Sequence, residues 1–191
     1  MRLFVALEIP AAVRDNLAAQ VKQLRDLSAQ VADKRPRWVR TENLHVTLKF
    51  IGEVAPAKID GIRGVLSNIR SSAPVDLQFR GLGFFPDEKH PRVLWAGLNP
   101  SANLSSLAGD IDRATETQGI AREKRAFTPH LTLARFEPLG LHEKLRSAIQ
   151  KNSECEFGSF QAREFHLIES KLKSTGAEYT SLASFLFALE A

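Results

Sequence analysis

The pattern His-x-Thr-Leu occurs twice in this 191-residue chain, as His45-Val46-Thr47-Leu48 and as His130-Leu131-Thr132-Leu133. In an extended strand the side chains alternate between faces. Each copy therefore offers an imidazole and a hydroxyl to one side and apolar groups to the other. Two opposed imidazoles suit the opening of a phosphodiester. One, neutral, takes a proton from an attacking water, and the other, protonated, gives a proton to the departing sugar oxygen. Each such transfer contributes roughly 10²–10⁴-fold, and imidazole is the side chain best placed to make it near neutral pH. The two threonine hydroxyls can hydrogen-bond the non-bridging phosphate oxygens, where charge builds in the transition state. A cyclic phosphate adds its own ring strain, so this machinery need not include a metal.

One copy alone says little, because a lone strand histidine is more often a satisfied core or surface residue, and Thr favours sheets simply by being β-branched. Two copies at corresponding places say more, since apolar strand positions gain nothing from an isolated imidazole. Zinc fits poorly: neither histidine has a nearby third His, Cys or acid motif. His90, His142 and His166 fall in a loop, a helix start and a strand, where solvated or structural roles are the default. The single cysteine, Cys155, excludes an internal disulfide and a Cys-based zinc site and reads as a small buried apolar residue. No metal and no cofactor are expected.

The elements that must position these groups can be read from periodicity. Residues 2–8 read as a strand, and Pro10 suits the first turn of a helix whose apolar positions Val13, Leu17, Ala18, Val21, Leu24 and Leu27 run through 11–31. Lys34-Arg35-Pro36-Arg37 breaks that pattern, and 38–40 reads as a short extended piece. Residues 44–51 form the first motif strand, 56–71 a helix, 75–84 an extended segment and 85–91 a loop rich in Pro and charge. Residues 92–98 form a strand, and Asn99-Pro100-Ser101 opens a helix to about Gln118. The second motif strand follows at 128–136, then a helix at 141–151 and three strands at 155–160, 163–171 and 179–189. Strand, proline, helix and motif strand thus recur 85 to 90 residues apart. This predicts an internal duplication of units at about 2–71 and 92–151, with C-terminal strands over 155–189. The two lobes are expected to be related by a pseudo-twofold axis, each a small sheet with helices on its outer face. All of it falls within one domain, 1–191.

Composition bounds the answer without deciding it. Hydrophobic residues make up 43% and charged residues 25%, which is ordinary for a globular chain, and the net charge of +4 is compatible with a phosphate-bearing ligand without establishing one. The apolar start at 1–7 is too short for a secretory signal, and no run approaches the ~20 apolar residues of a membrane span. The expectation is a soluble cytoplasmic protein, with a monomer as the default.

Three segments together resemble a known family. Arg2-Leu3-Phe4-Val5-Ala6-Leu7, the stretch from Asn43 to Gly52 around the first motif, and Phe127-Thr128-Pro129-His130-Leu131-Thr132-Leu133-Ala134-Arg135 are similar to the bacterial and archaeal RNA 2′,3′-cyclic phosphodiesterases, also called 2′-5′ RNA ligases, of the 2H phosphoesterases. The resemblance implies a bilobal α+β fold, two pseudo-symmetric antiparallel-sheet lobes with outer helices around a central cleft lined by His45, Thr47, His130 and Thr132. It implies metal-independent opening of a 2′,3′-cyclic phosphate at an RNA end to leave a 2′-phosphate, with His45 as general acid to O3′ and His130 as general base to water. It also implies 2′-5′ joining of RNA ends by the reverse chemistry, and phosphate binding by Arg135. Strict alternation from His130 turns Arg135 away from the cleft, so a bulge or a strand end is required to bring it round. Strict alternation from His45 keeps Lys49 on the cleft face as an alternative phosphate contact and sends Phe50 to the apolar side as core. Trp38 and Arg40 lie just before the first motif, where a ring could stack a base.

A module that binds RNA or a nucleotide without turnover is the reading from another class. It is disfavoured by the second histidine, because binding needs positive charge and stacking, to which two neutral imidazoles add little. Within the enzyme class, another cyclic or 2′-5′-linked nucleotide remains open as substrate, because the motif reads the phosphate and not the base.

Overall fold

The computed structural model describes residues 1–31, 36–71, 73–137, 142–174 and 176–187. Among these residues nine strands and four α-helices follow one another as β1 (Arg2–Glu8), α1 (Ala11–Val31), β2 (Arg37–Trp38), β3 (His45–Glu53), α2 (Ile59–Ser67), β4 (Val75–Phe85), β5 (Val93–Pro100), α3 (Asn103–Glu116), β6 (His130–Arg135), α4 (Glu143–Gln150), β7 (Glu156–Ala162), β8 (Glu164–Lys173) and β9 (Gly176–Leu186). The sequence places each of the longer elements. Its expected breaker at 34–37 lies partly outside the described residues, as do the start of the 141–151 helix and the last two residues of the strand expected to end at 189.

Several boundaries differ: β9 begins at Gly176, three residues before the strand expected from 179, and two other differences have a clear cause. Pro100 closes β5 instead of opening a helix. The turn after it is held by the Ser101 hydroxyl, which accepts from the Asp76 amide at 2.9 Å, so α3 starts only at Asn103. The helix expected over 56–71 is a 3₁₀ turn at Pro56–Lys58 that continues as α2 and stops at Ser67.

All strand pairings are antiparallel, and the sheet order is β7-β4-β5-β6-β3-β1-β8-β9, with β2 added beside β6. The order is symmetric about its centre, the single bridge Val46↔Leu131 between β3 and β6. The two lobes therefore share one continuous curled sheet where two small sheets were expected. They also exchange strands: β4 follows α2 of the first unit but pairs with β5 of the second, while β8, late in the chain, returns to pair with β1.

One face of the sheet carries the core. Leu3, Val5 and Leu7 of β1, Val46 and Leu48 of β3, and Leu131 and Leu133 of β6 pack with Leu17 and Leu24 of α1, Ile62 and Leu66 of α2, Leu104 and Ile111 of α3, and Leu145 and Ile149 of α4. Burying a Leu or Ile side chain fully stabilises by about 1.5–3 kcal/mol, so this face holds the helices to the sheet. The opposite face holds a separate small cluster of Phe4, Ala6 and Ile168 against Tyr179. It is the concave face, and both motif histidines point to it.

Candidate active site

β3 and β6 present their motifs in the same way. Val46 and Leu131 are fully buried against the helices, so His45, Thr47, His130 and Thr132, one residue to either side, turn to the concave face and are half-buried. Carrying the antiparallel register of Val46↔Leu131 one step further sets His45 across from Thr132 and Thr47 across from His130. The two imidazoles thus lie on a diagonal about the pseudo-twofold axis.

Each ring is held by the same backbone device. His45 Nδ1 lies 2.7 Å from the Asn43 carbonyl, and His130 Nδ1 lies 2.8 Å from the Thr128 carbonyl. A carbonyl only accepts, so Nδ1 carries the proton in both rings and Nε2 is left for chemistry. The first arm is anchored further, because the Asn43 side-chain amide donates to the Ala177 carbonyl of β9 at 2.7 Å. Packing fixes the ring planes. His45 lies against Phe4 at 4.6 Å and edge-on to Tyr179 at 5.3 Å, and His130 is edge-on to Phe85 at 4.9 Å.

Burial pushes the pKa of both histidines below the ordinary imidazole value, against the opposing effect of the carbonyl bonds. Positive charge acts in the same direction: a protonated His130 and Arg135 both disfavour the charged form of His45, and Arg135 does the same to His130. His45, His130 and Arg135 are therefore within electrostatic reach of one another.

Arg135 reaches the concave face through a bulge. Between β5 and β6 the partners run Leu94↔Ala134 and then Trp95↔Thr132, so Leu133 is an extra residue and the alternation reverses after it. Leu133 and Ala134 are both buried, and Arg135 emerges on the side of His130. β3 carries the same irregularity at the same offset, with Val5↔Lys49 followed by Ala6↔Thr47, leaving Leu48 extra.

This second bulge overturns two expectations drawn from strict alternation. Lys49 is not on the cleft face. It is 5% exposed, and its ammonium pairs with Asp112 of α3 and donates to the Ala121 carbonyl at 2.7 Å. Phe50 is not core. It is 59% exposed on the cleft side, 6.4 Å from Phe4. Asp112 also accepts from Arg122 and from the Glu123 amide, both at 3.1 Å, so it ties the β3 bulge to the segment that leads into His130.

The other two sequence candidates separate. Trp38 packs on the helix side, with the Arg25 guanidinium of α1 5.9 Å above its ring, and so lies away from the cleft. Arg40 lines a groove of about 330 Å³ that opens beside His45 together with Arg14, Asn43, Tyr179 and Ser181, though it is paired with Glu42. Reading along the chain missed several groups of the concave face, because only strand register gathers them. Tyr179 packs on His45 and Phe4. Trp95 is the direct partner of Thr132, and His166 is the direct partner of Ala6. Among the described residues no group of three or more His, Cys, Asp and Glu is arranged to hold a metal ion, and no helix is long and apolar enough to cross a membrane.

A bilobal α+β sheet with two equivalent His-x-Thr strands facing one cleft defines the 2H phosphoesterase class, and the model of the 2′-5′ RNA ligase superfamily matches residues 13–173, so the chain belongs to that family. Among its relatives, the RNA 2′,3′-cyclic phosphodiesterase of Aquifex aeolicus is 34% identical over 78% of this chain and 80% of its own length. The protein of the same name from Methanothermobacter thermautotrophicus is 32% identical over 97% and 98%. The crystal structure of TT0787 from Thermus thermophilus superposes over 100% of both chains with a TM-score of 0.79 at 28% identity.

Proposed function

We propose that this protein opens 2′,3′-cyclic phosphate ends of RNA to 2′-phosphates, with His45 as general acid and His130 as general base. The observation that carries the reading is the matched pair of imidazoles, each with Nδ1 held by the carbonyl two residues before it and Nε2 turned to one cleft. In the step we assign, water attacks phosphorus from the His130 side and gives its proton to His130 Nε2. The P–O3′ bond breaks as His45 Nε2–H protonates O3′, and the phosphate stays on O2′. Thr47 and Thr132 hydrogen-bond the non-bridging oxygens, and Arg135 stabilises the charge that gathers there. The groove beside His45 takes the terminal nucleoside, on the side of the leaving oxygen.

The lowered pKa of His45 fits this role through the substrate. Free, the ring is mostly neutral near pH 7. An anionic phosphodiester against Nε2 favours the charged form, so the acid gains its proton as the substrate binds. The names of the relatives support RNA as substrate, and we place the protein in the cytoplasm as a monomer. The test is turnover of a nucleoside 2′,3′-cyclic phosphate in EDTA by wild type and His130→Ala. Release of a 2′-phosphate by wild type alone is expected; absence of turnover with retained binding of the nucleotide overturns the reading in favour of a binding module.

A further inference from the structure

Beside His130 the cleft has a floor of indole laid over glycine, built differently from the Phe4, Tyr179 and Phe50 cluster beside His45. Register places Gly97 directly across from His130, Trp95 across from Thr132 and Gly83 across from Trp95. Directly paired residues share a face, so these groups and Phe85, two residues beyond Gly83, all belong to the concave side. The two glycines make room for the indole. A Cβ at Gly83 would fall 2.9 Å from Trp95 Cε2 and closer still to Cζ2 and Cη2, and a Cβ at Gly97 would fall 2.7 Å from the Arg80 carbonyl oxygen and 3.1 Å from Cζ3. The six-membered ring therefore lies down across both strands, over backbone that carries no side chain. Phe85 flanks it, 5.3 Å centroid to centroid, and stands edge-on to His130 at 4.9 Å. The indole Nε1 finds no hydrogen-bond partner among the described residues.

At the equivalent place in the other half, across from Thr47, stands Ala6. A flat aromatic surface beside the imidazole that handles the incoming oxygen, with Arg135 next to it, has the chemistry of a nucleobase platform: every base has a π-face to stack, and a cation nearby suits the chain phosphates.

We propose that Trp95 and Phe85 form the subsite for the nucleoside that supplies a 5′-hydroxyl when RNA ends are joined. The proposal rests on the reading of His130 as the group on the nucleophile's side. Water and a 5′-hydroxyl enter at the same place. In joining, the 5′-oxygen attacks phosphorus as its proton passes to His130. The O5′–P bond forms, the P–O3′ bond breaks, and O3′ takes the proton of His45. The product is a 2′-5′ phosphodiester with a free 3′-hydroxyl, and no other reactant is needed. The base attached to that 5′-hydroxyl is then carried over the indole.

The chain has two tryptophans, so Trp38→Phe leaves Trp95 as the one reporter of the platform. This protein is saturated with a nucleoside 2′-monophosphate, which fills the phosphate and leaving-side positions, and is titrated with a dinucleotide that has a free 5′-hydroxyl. Quenching of Trp95 by the dinucleotide on top of the monophosphate is expected, with affinity reduced roughly tenfold by Phe85→Leu, the scale of one lost stacking contact. In a mixture of cyclic-ended and 5′-hydroxyl oligonucleotides, the same substitution is expected to lower the ratio of joined to hydrolysed product. Two outcomes overturn the proposal: quenching by the monophosphate alone with the dinucleotide competing against it, which would give the platform to the substrate's own base, and no quenching by either. Hydrolysis of the cyclic nucleotide by the same protein is measured alongside, so a failure of the phosphodiesterase reading shows separately from a failure of the platform.

Discussion

β3 and β6 carry one backbone design and two sets of side chains. Both place His and Thr on the concave face, hold Nδ1 by the carbonyl two residues earlier, and carry the Leu that follows the Thr as the extra residue of a bulge. Beyond that bulge they diverge: Lys49 answers to Ala134, Phe50 to Arg135, and, on the neighbouring strand, Ala6 to Trp95. The shared part is what a pair of opposed proton-transfer groups requires of the main chain. The divergent part makes the two sides of the cleft different, as a reaction with a leaving group on one side and a nucleophile on the other demands.

The strongest way to break the comparison is to remove the histidines one at a time. His45→Asn and His130→Asn are each expected to lower kcat/KM on a cyclic nucleotide by roughly 10²–10⁴-fold. A substrate whose departing oxygen is already acidic, such as an aryl phosphodiester, sharpens the test, because it needs no general acid. Its turnover should survive His45→Asn much better than His130→Asn. Better survival of His130→Asn than of His45→Asn on the aryl substrate would exchange the acid and the base.

The next largest effect concerns stability and separates Lys49 from Phe50. Lys49 and Asp112 are a buried ion pair, and removing one partner leaves the other charged in the core, which costs about 3–5 kcal/mol. Lys49→Met should fall near the lower figure in urea unfolding, since Asp112 keeps Arg122 and the Glu123 amide. Phe50→Ala, at an exposed position, should change stability by no more than about 0.5 kcal/mol. The reverse order would mean that the β3 bulge is absent in solution.

That pair of residues also marks where sequence reading stops. Alternation with a period of two located His45, Thr47, His130 and Thr132, because within each motif the strand is regular. It failed at Lys49 and Phe50 because a bulge adds a residue without changing residue type, and Leu48-Lys49 reads like any other strand step. For Arg135 the same arithmetic stated its own condition, a bulge, and the bulge is present. The elements from β1 to β9 were legible from periodicity and turn residues, yet the exchange of β4 and β8 between lobes was not. Strand order depends on which edges meet in space, and no local pattern records it. Tyr179, Trp95 and His166 escaped for the same reason: each reaches the concave face by pairing with a strand far away in sequence.

Arg135 sets a smaller but more specific asymmetry. Arg135→Gln removes a charge from the phosphate side of the cleft, and a charge-assisted hydrogen bond is worth about 1.5–3 kcal/mol, so kcat/KM should drop roughly 10–100-fold. It should also move the pH profile. Arg135 lowers the pKa of both histidines, so its removal lets both rise and shifts the bell-shaped kcat/KM profile toward higher pH. Phe50→Gln, at the matching position of β3, should leave the profile in place. A profile unmoved by Arg135→Gln would place the guanidinium outside the reach of the imidazoles.

The smallest expected effect is on the pH dependence of folding. Both histidines have folded-state pKa values below the ordinary 6.5, so the unfolded chain takes up their protons first as the pH falls. Their contribution is therefore present in full above pH 6.5 and declines as the pH drops through the lowered folded values, with a slope of at most about 1.4 kcal/mol per pH unit for each ring. His45 is the deeper of the two and feels both His130 and Arg135, so His45→Asn should flatten the acid decline in urea midpoint more than His130→Asn. Phosphate should oppose the decline in wild type, because an anion between the rings stabilises their charged forms. That protection should grow as the pH falls from 7.5 toward 5.5 and should shrink in either variant. If phosphate protects both variants as well as wild type, the anion binds away from the two imidazoles, and the pairing of β3 with β6 would have to be explained by the fold alone.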